Sequence, residues 1–126
     1  EFSAAAQTLL RRGERILIYP EQGMWWNYRK PRPPKPGAYQ LAVRASVPVL
    51  PVFITMRDLK KKDEHGFPVQ GYTLHFLPPV FPDPTLRPHD AEDAMAKKNF
   101  AAWRECYEHT YGTPLQYSTE GGVGFL

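Results

Sequence analysis

Cysteine is nearly absent from this chain. The one thiol, Cys106, excludes an internal disulfide framework and fits a reducing compartment. Long apolar runs are missing too. No stretch approaches the ~20 residues that a membrane span requires, and no signal-peptide pattern opens the sequence. The four histidines, His65, His75, His89 and His109, are scattered without ligand spacing, so a resident metal ion is not expected. The most informative absence is local. Between residues 29 and 35 stand Arg29, Lys30, Arg32 and Lys35 without an acid among them, which suits an anionic ligand such as a phosphate. A second group of cations, from Arg57 to Lys62, is interrupted by Asp58 and followed by Asp63 and Glu64, as expected of a solvated loop. The overall charge of +3 says less than this distribution.

What is present suffices for one small domain or part of one: 126 residues, 42% of them hydrophobic, with seven Phe, seven Tyr and three Trp for a core. The chain opens inside an amphipathic pattern and without an initiating Met, so it is expected to be the C-terminal part of a longer protein.

Residues 3–12 predict a helix, with Ser3 as N-cap, Ala6, Leu9 and Leu10 on one face, and Gly13 as its stop. Arg15 to Tyr19 is apolar and partly β-branched, which predicts a short buried strand ended by Pro20. Residues 20–36 hold five of the fourteen prolines, so an ordered or polyproline-like loop is expected. Ala38, Leu41, Ala42 and Ala45 mark a short helix. A strand over 47–55 follows, in which Pro48 and Pro51 must fall at its start, a bulge or an edge. A charged loop over 57–70, a strand over 72–77 and a proline-punctuated linker over 81–88 lead to a last helix. For that helix Asp90 is the expected N-cap, and Ala91, Met95, Phe100, Trp103, Tyr107 and Tyr111 form the apolar stripe. Its outer face mixes acids and bases, which suits packing on a sheet better than lying on a membrane. The order of elements predicts an α/β fold, a mixed sheet flanked by helices, with a parallel crossover through the short helix. Residues 118–126 are expected to be a flexible tail.

In α/β sheets, ligands gather at the carboxyl ends of strands, which singles out Glu21 just beyond the strand at 15–19. The competing possibility is a surface Glu that caps a neighbouring helix. For Arg29, Lys30, Arg32 and Lys35 the choice lies between phosphate binding, bidentate for Arg and as a point charge for Lys, and a solvated proline-rich loop. Trp25, Trp26 and Tyr28 suit either a membrane interface or a local cluster that pins the loop. Cys106 lies among acids and aromatics, with nothing to depress its pKa, and reads as structural.

Three blocks then stand in order: Tyr19-Pro20-Glu21-Gln22-Gly23, Lys35-Pro36-Gly37-Ala38, and Val47-Pro48-Val49-Leu50-Pro51-Val52. Together they resemble the glycerolipid acyltransferases of the lysophosphatidic acid acyltransferase type, in which Phe-Pro-Glu-Gly-Thr-Arg, Lys-x-Gly-Ala and Val-Pro-Val-x-Pro-Val follow one another. The likeness covers roughly residues 1–112. It implies that residues 1–117 are the C-terminal part of such a domain, an incomplete one.

The resemblance implies an enzyme of phospholipid synthesis. It would transfer an acyl group from a thioester of CoA or acyl carrier protein to a lysophosphatidic acid-like acceptor, a glycerol phosphate or another glycerophospholipid. The thioester is a co-substrate, and no bound cofactor is implied. Glu21, Gln22, Gly23, Arg29, Lys30 and Lys35 would bind the acceptor. The family's base is the His of a His-x-x-x-x-Asp motif, whose Asp orients the imidazole. That motif is absent here: five positions after His65, His75, His89 and His109 stand Gln70, Val80, Ala94 and Pro114. The dyad is therefore expected upstream of Glu1, and this stretch alone is expected to be inactive. Its implied place is the cytoplasmic side of a membrane, peripheral or anchored by a preceding segment. One departure concerns the acceptor. Where the family has Gly-Thr-Arg after the Glu, this chain has Gln22-Gly23-Met24, which leaves Arg29, Lys30 or Lys35 as the candidates to supply the cation of the missing Arg. This reading has no nucleic-acid partner. The alternatives are a catalytically dead lipid-binding scaffold, or a nucleic-acid-binding module that uses the aromatic and basic loop at 24–36.

Overall fold

A computed structural model describes residues 2–21 and 29–117. Three helices and a two-stranded antiparallel sheet make a small mixed α and β fold. Helix α1, Phe2–Arg11, ends through Gly13, whose φ of 86° is free for a residue without Cβ. It packs on α2, Gly37–Ala45, with Ala6 buried. Helix α2 closes at Ser46 in the left-handed region. There the Val47 N–H donates to the Ala42 carbonyl at 3.0 Å, satisfying an end the helix itself leaves open.

The stretch Arg15–Tyr19 is not a strand. Ile16 and Ile18 are half-buried while Leu17 and Tyr19 are exposed, so the alternation of a strand is present. A strand, however, needs a neighbour to pair its backbone, and among the described residues the sheet consists only of β1, Val52–Lys62, and β2, Pro68–Phe76. The expected parallel crossover is absent for the same reason. The prolines at 48 and 51 fall where their missing donors do no harm. Both lie before β1, where Val49 and Val80 form an isolated bridge and the Pro51 carbonyl accepts from the Leu77 N–H at 2.9 Å.

The charged stretch after Arg57 is a hairpin arm rather than a loop. The ladder runs from Val52 opposite Phe76 to Asp58 opposite Gln70, breaks register, and resumes at Lys62 opposite Pro68. Asp63 makes the turn: its carboxylate accepts from the His65 and Phe67 N–H groups at 2.8 and 3.0 Å, and Gly66 takes a φ of 84°. Charge patterning alone suggested solvent exposure, which is correct, but an exposed segment can still pair.

The two faces of the hairpin differ. Phe53 and Thr55 point inward and are buried, and the Thr55 hydroxyl meets His75 Nε2 at 2.8 Å. On the other face Ile54, Leu74, Tyr72 and Phe76 are exposed, Phe76 by 69%. Helix α3, Pro88–Tyr111, covers the inner face. Its N-cap is Arg87, with Pro88 in the first turn, and not Asp90. The fixed φ of proline suits that first turn, while Asp90 lies within the helix and pairs with Arg87 at 3.1 Å. The buried stripe of α3 is Ala91, Met95, Asn99, Trp103 and Tyr107. Phe100 is only half-buried, and the polar Asn99 takes the central place instead. Two core clusters result: Tyr39, Ala42, Val80 and Met95 around α2, and Phe53, Trp103 and Tyr107 under the hairpin.

Candidate substrate-binding site

Glu21 follows Pro20 in a turn, half-buried. Two backbone donors hold the turn against the far side of the proline-rich loop. The Arg32 N–H donates to Glu21 Oε2 at 2.8 Å, and the Lys35 N–H donates to the Pro20 carbonyl at 2.6 Å. The Tyr117 hydroxyl donates to the carbonyl of the buried Pro31. Prolines supply no N–H of their own, so the loop can be tied only through the few residues between them and through its carbonyls. Arg32 and Lys35 are two such residues.

Burial pushes the Glu21 carboxyl above its ordinary range; the Arg32 N–H and the Arg32 charge pull part of the way back. The Tyr39 phenol is pushed up as well, first by burial and then by the negative charge of Glu21. Tyr39 is 1% exposed, and its hydroxyl has no hydrogen-bond partner among the described residues. A carboxylate that accepts and a buried phenol with an unused donor therefore share one neighbourhood. Lys30 and Arg32 are half-buried and Lys35 is exposed. Gln22 and Gly23 lie outside the described residues, as do Trp25, Trp26 and Tyr28.

Arg29 is engaged elsewhere. Its Nη2 donates to Asp58 Oδ1 at 2.8 Å and to Gln70 Oε1 at 2.9 Å, and its guanidinium lies over the Tyr111 ring, 5.8 Å from the centroid. Asp58 is thereby held below the usual carboxylate range, by its Gln70 hydrogen bond first and by Arg29 as well. The loop at 29–35 thus touches both the hairpin and the end of α3.

Sequence reasoning missed Tyr39, Asp58, Gln70 and Tyr111. Tyr39 had a readable signal, since it stands three residues before Ala42 on the buried side of α2. The partners of Arg29 had none, because pairings across 29 and 41 residues leave no local mark. Cys106 is half-buried and its thiol is pushed up by that burial, which disfavours the thiolate. Among the described residues, no three His, Cys, Asp or Glu side chains gather as a metal site would require.

With this geometry in place, residues 1–55 match the acyltransferase family model. Over this segment the chain is similar to the acyltransferase family. The matched segment contains Glu21, its Arg32 and Lys35 contacts and helix α2, so the family match and the held carboxylate coincide. Relatives extend the likeness through the hairpin and α3. The chain is 37% identical to 1-acyl-sn-glycerol-3-phosphate acyltransferase alpha of Homo sapiens, covering 97% of this chain and 44% of that protein. It is 32% identical to the proteins of the same name from Ovis aries and Bos taurus, with 97% of this chain and 43% of each relative covered. The chain therefore spans less than half the length of these relatives. No solved structure matches it.

Proposed function

We propose that the intact protein transfers an acyl group from an acyl thioester to a hydroxyl of a lysophosphatidic acid-like or other glycerophospholipid acceptor, in phospholipid synthesis. The acceptor oxygen attacks the thioester carbonyl, a base removes the hydroxyl proton, and the thiol departs. A hydroxyl is a poor nucleophile until that proton is taken, and a His-Asp dyad upstream of Glu1 is the proposed base. The part assigned to this chain is acceptor binding. Glu21 is its centre, with Gln22, Gly23, Lys30 and Lys35 completing the site.

The single observation that carries this reading is the Glu21 turn. A half-buried carboxylate is kept there by the Arg32 N–H, within the influence of the Arg32 charge, in the segment that matches the family. The unused Tyr39 donor supports it. A hydroxyl is one of the few groups that can donate to a carboxylate and accept from a phenol at once. Burial strengthens both contacts by lowering the local dielectric. A lysophospholipid acceptor implies work at a membrane surface, proposed here on its cytoplasmic side. Among the described residues no helix is long and apolar enough to cross a membrane.

The test is thiol release from acyl-CoA by the intact protein in the presence of lysophosphatidic acid, beside a Glu21→Ala variant. Release by the wild type and its loss in the variant are expected. Release that persists in the variant removes Glu21 from the site. No release with this or related acceptors favours the scaffold, for which the departure at Gln22-Gly23-Met24 is the specific motive.

A further inference from the structure

We infer that Arg29 is a positioning residue and not a ligand of the acceptor's phosphate: its clamp on Asp58, Gln70 and Tyr111 fixes the loop whose Arg32 N–H holds the Glu21 carboxylate. The inference rests on the reading of Glu21 as the acceptor-binding group.

The clamp is a closed network. Arg29 donates to Asp58 and to Gln70, and Gln70 Nε2 in turn donates to the same Asp58 oxygen at 2.6 Å. Tyr111 underlies the guanidinium and accepts from the Met56 N–H at 2.8 Å, so the aromatic platform is itself tied to β1. Three segments meet at Arg29: the proline-rich loop, both hairpin strands, and the last residue of α3. To bind a phosphate through Nη2, Arg29 would have to leave the Asp58 carboxylate and the Gln70 amide oxygen, and to turn its guanidinium it would have to leave the Tyr111 ring.

Position gives the clamp its consequence. Arg29 precedes Arg32 by three residues, a reach of at most ~11 Å of backbone. Pro31 lies between them and is itself held by Tyr117. Anchoring Arg29 to the hairpin therefore restricts where the Arg32 N–H can be placed. A half-exposed ion pair contributes little to global stability. Its effect here is on the geometry of the loop.

The experiment compares Arg29→Ala, Asp58→Ala and the double variant in the intact protein, reading KM for lysophosphatidic acid separately from kcat. Each single change is expected to raise KM about threefold to tenfold, and the double variant is expected to be no worse than either single, since both remove one coupled contact. Arg29→Lys keeps the charge but loses the planar group that lies over Tyr111 while its Nη2 reaches both Asp58 and Gln70, and is expected to behave like Arg29→Ala. The inference is overturned if Asp58→Ala leaves KM unchanged or lowers it while Arg29→Ala raises it, because freeing a phosphate ligand would do that. It is equally overturned if Arg29→Lys retains wild-type KM. Hydrogen exchange at the Arg32 N–H supplies a readout independent of turnover. It should accelerate in both single variants, and unchanged exchange would sink the clamp. If the wild type shows no turnover, the functional reading fails, and exchange still decides the clamp.

Discussion

The segment from Glu14 to Lys35 and the segment from Val52 to Tyr111 hold their backbones in different ways. In the second, hydrogen bonds come in ladders and helical turns, and Phe53, Trp103 and Tyr107 form a cluster beneath them. Among the described residues of the first, isolated contacts replace the ladder: Arg32 to Glu21, Lys35 to Pro20, and Arg29 to Asp58 and Gln70. Of the family blocks, Tyr19, Pro20 and Glu21 lie in the segment held by single contacts and Lys35 ends it, while Gly37 and Ala38 open α2. Stability is not uniform across a structure, and a segment with few backbone pairs opens without unfolding the rest. A substrate loop benefits from that arrangement, whereas a core does not.

If the comparison is right, the largest effect on stability belongs to the paired segment. Trp103→Ala removes the ring that sits 6.4 Å from Phe53 and should cost about 3–5 kcal/mol in urea unfolding. A cost below about 1 kcal/mol would mean the cluster beneath the hairpin does not carry the fold. The smallest effect belongs to the bare face of the same hairpin. Phe76→Ser changes a side chain that is 69% exposed and should stay within about 0.5 kcal/mol. A loss comparable to that of Trp103→Ala would show that this face is covered in the intact protein. The clamp variants fall between these two in stability and above both in their effect on acceptor KM.

Legibility in the sequence follows the same division. The helices α1, α2 and α3 were readable to within about two residues at their ends, because Gly13, Gly37 and Gly112 and the apolar spacing mark them. Two errors came from treating local pattern as sufficient. Arg15–Tyr19 has the composition of a strand but no partner among the described residues. The charged stretch at 57–62 has the composition of a loop but has a partner in β2. Pairing is a long-range property that composition does not encode. At the site, the Pro-Glu context and the flanking blocks single out Glu21 as a candidate, but not its contact with the Arg32 N–H. The partners of Arg29 were not legible, since a cation in a proline-rich loop looks the same whether it faces a ligand or Asp58. Asn99 was missed because an apolar spacing rule passes over a polar residue; its buried Nδ2 has no partner among the described residues, and nothing in the structure explains why it is there.

In the proposed function Glu21 brings stability and acceptor binding into opposition, and that opposition can be measured on one variant. Its folded pKa is raised by burial. Between the ordinary Glu value and that raised value, the folded chain binds more protons than the unfolded one. Stability therefore falls as pH rises through this window and stays lower above it. Glu21→Gln removes the charge while keeping an oxygen for the Arg32 N–H. The most direct measurement is Tm and acyl transfer to lysophosphatidic acid on the same Glu21→Gln preparation at neutral pH, with Tm repeated in acid. The account predicts an equal or higher Tm at neutral pH, an advantage that shrinks below the ordinary Glu pKa, and kcat/KM lower by about tenfold or more. Wild-type kcat/KM in a variant that folds as well or better would contradict it.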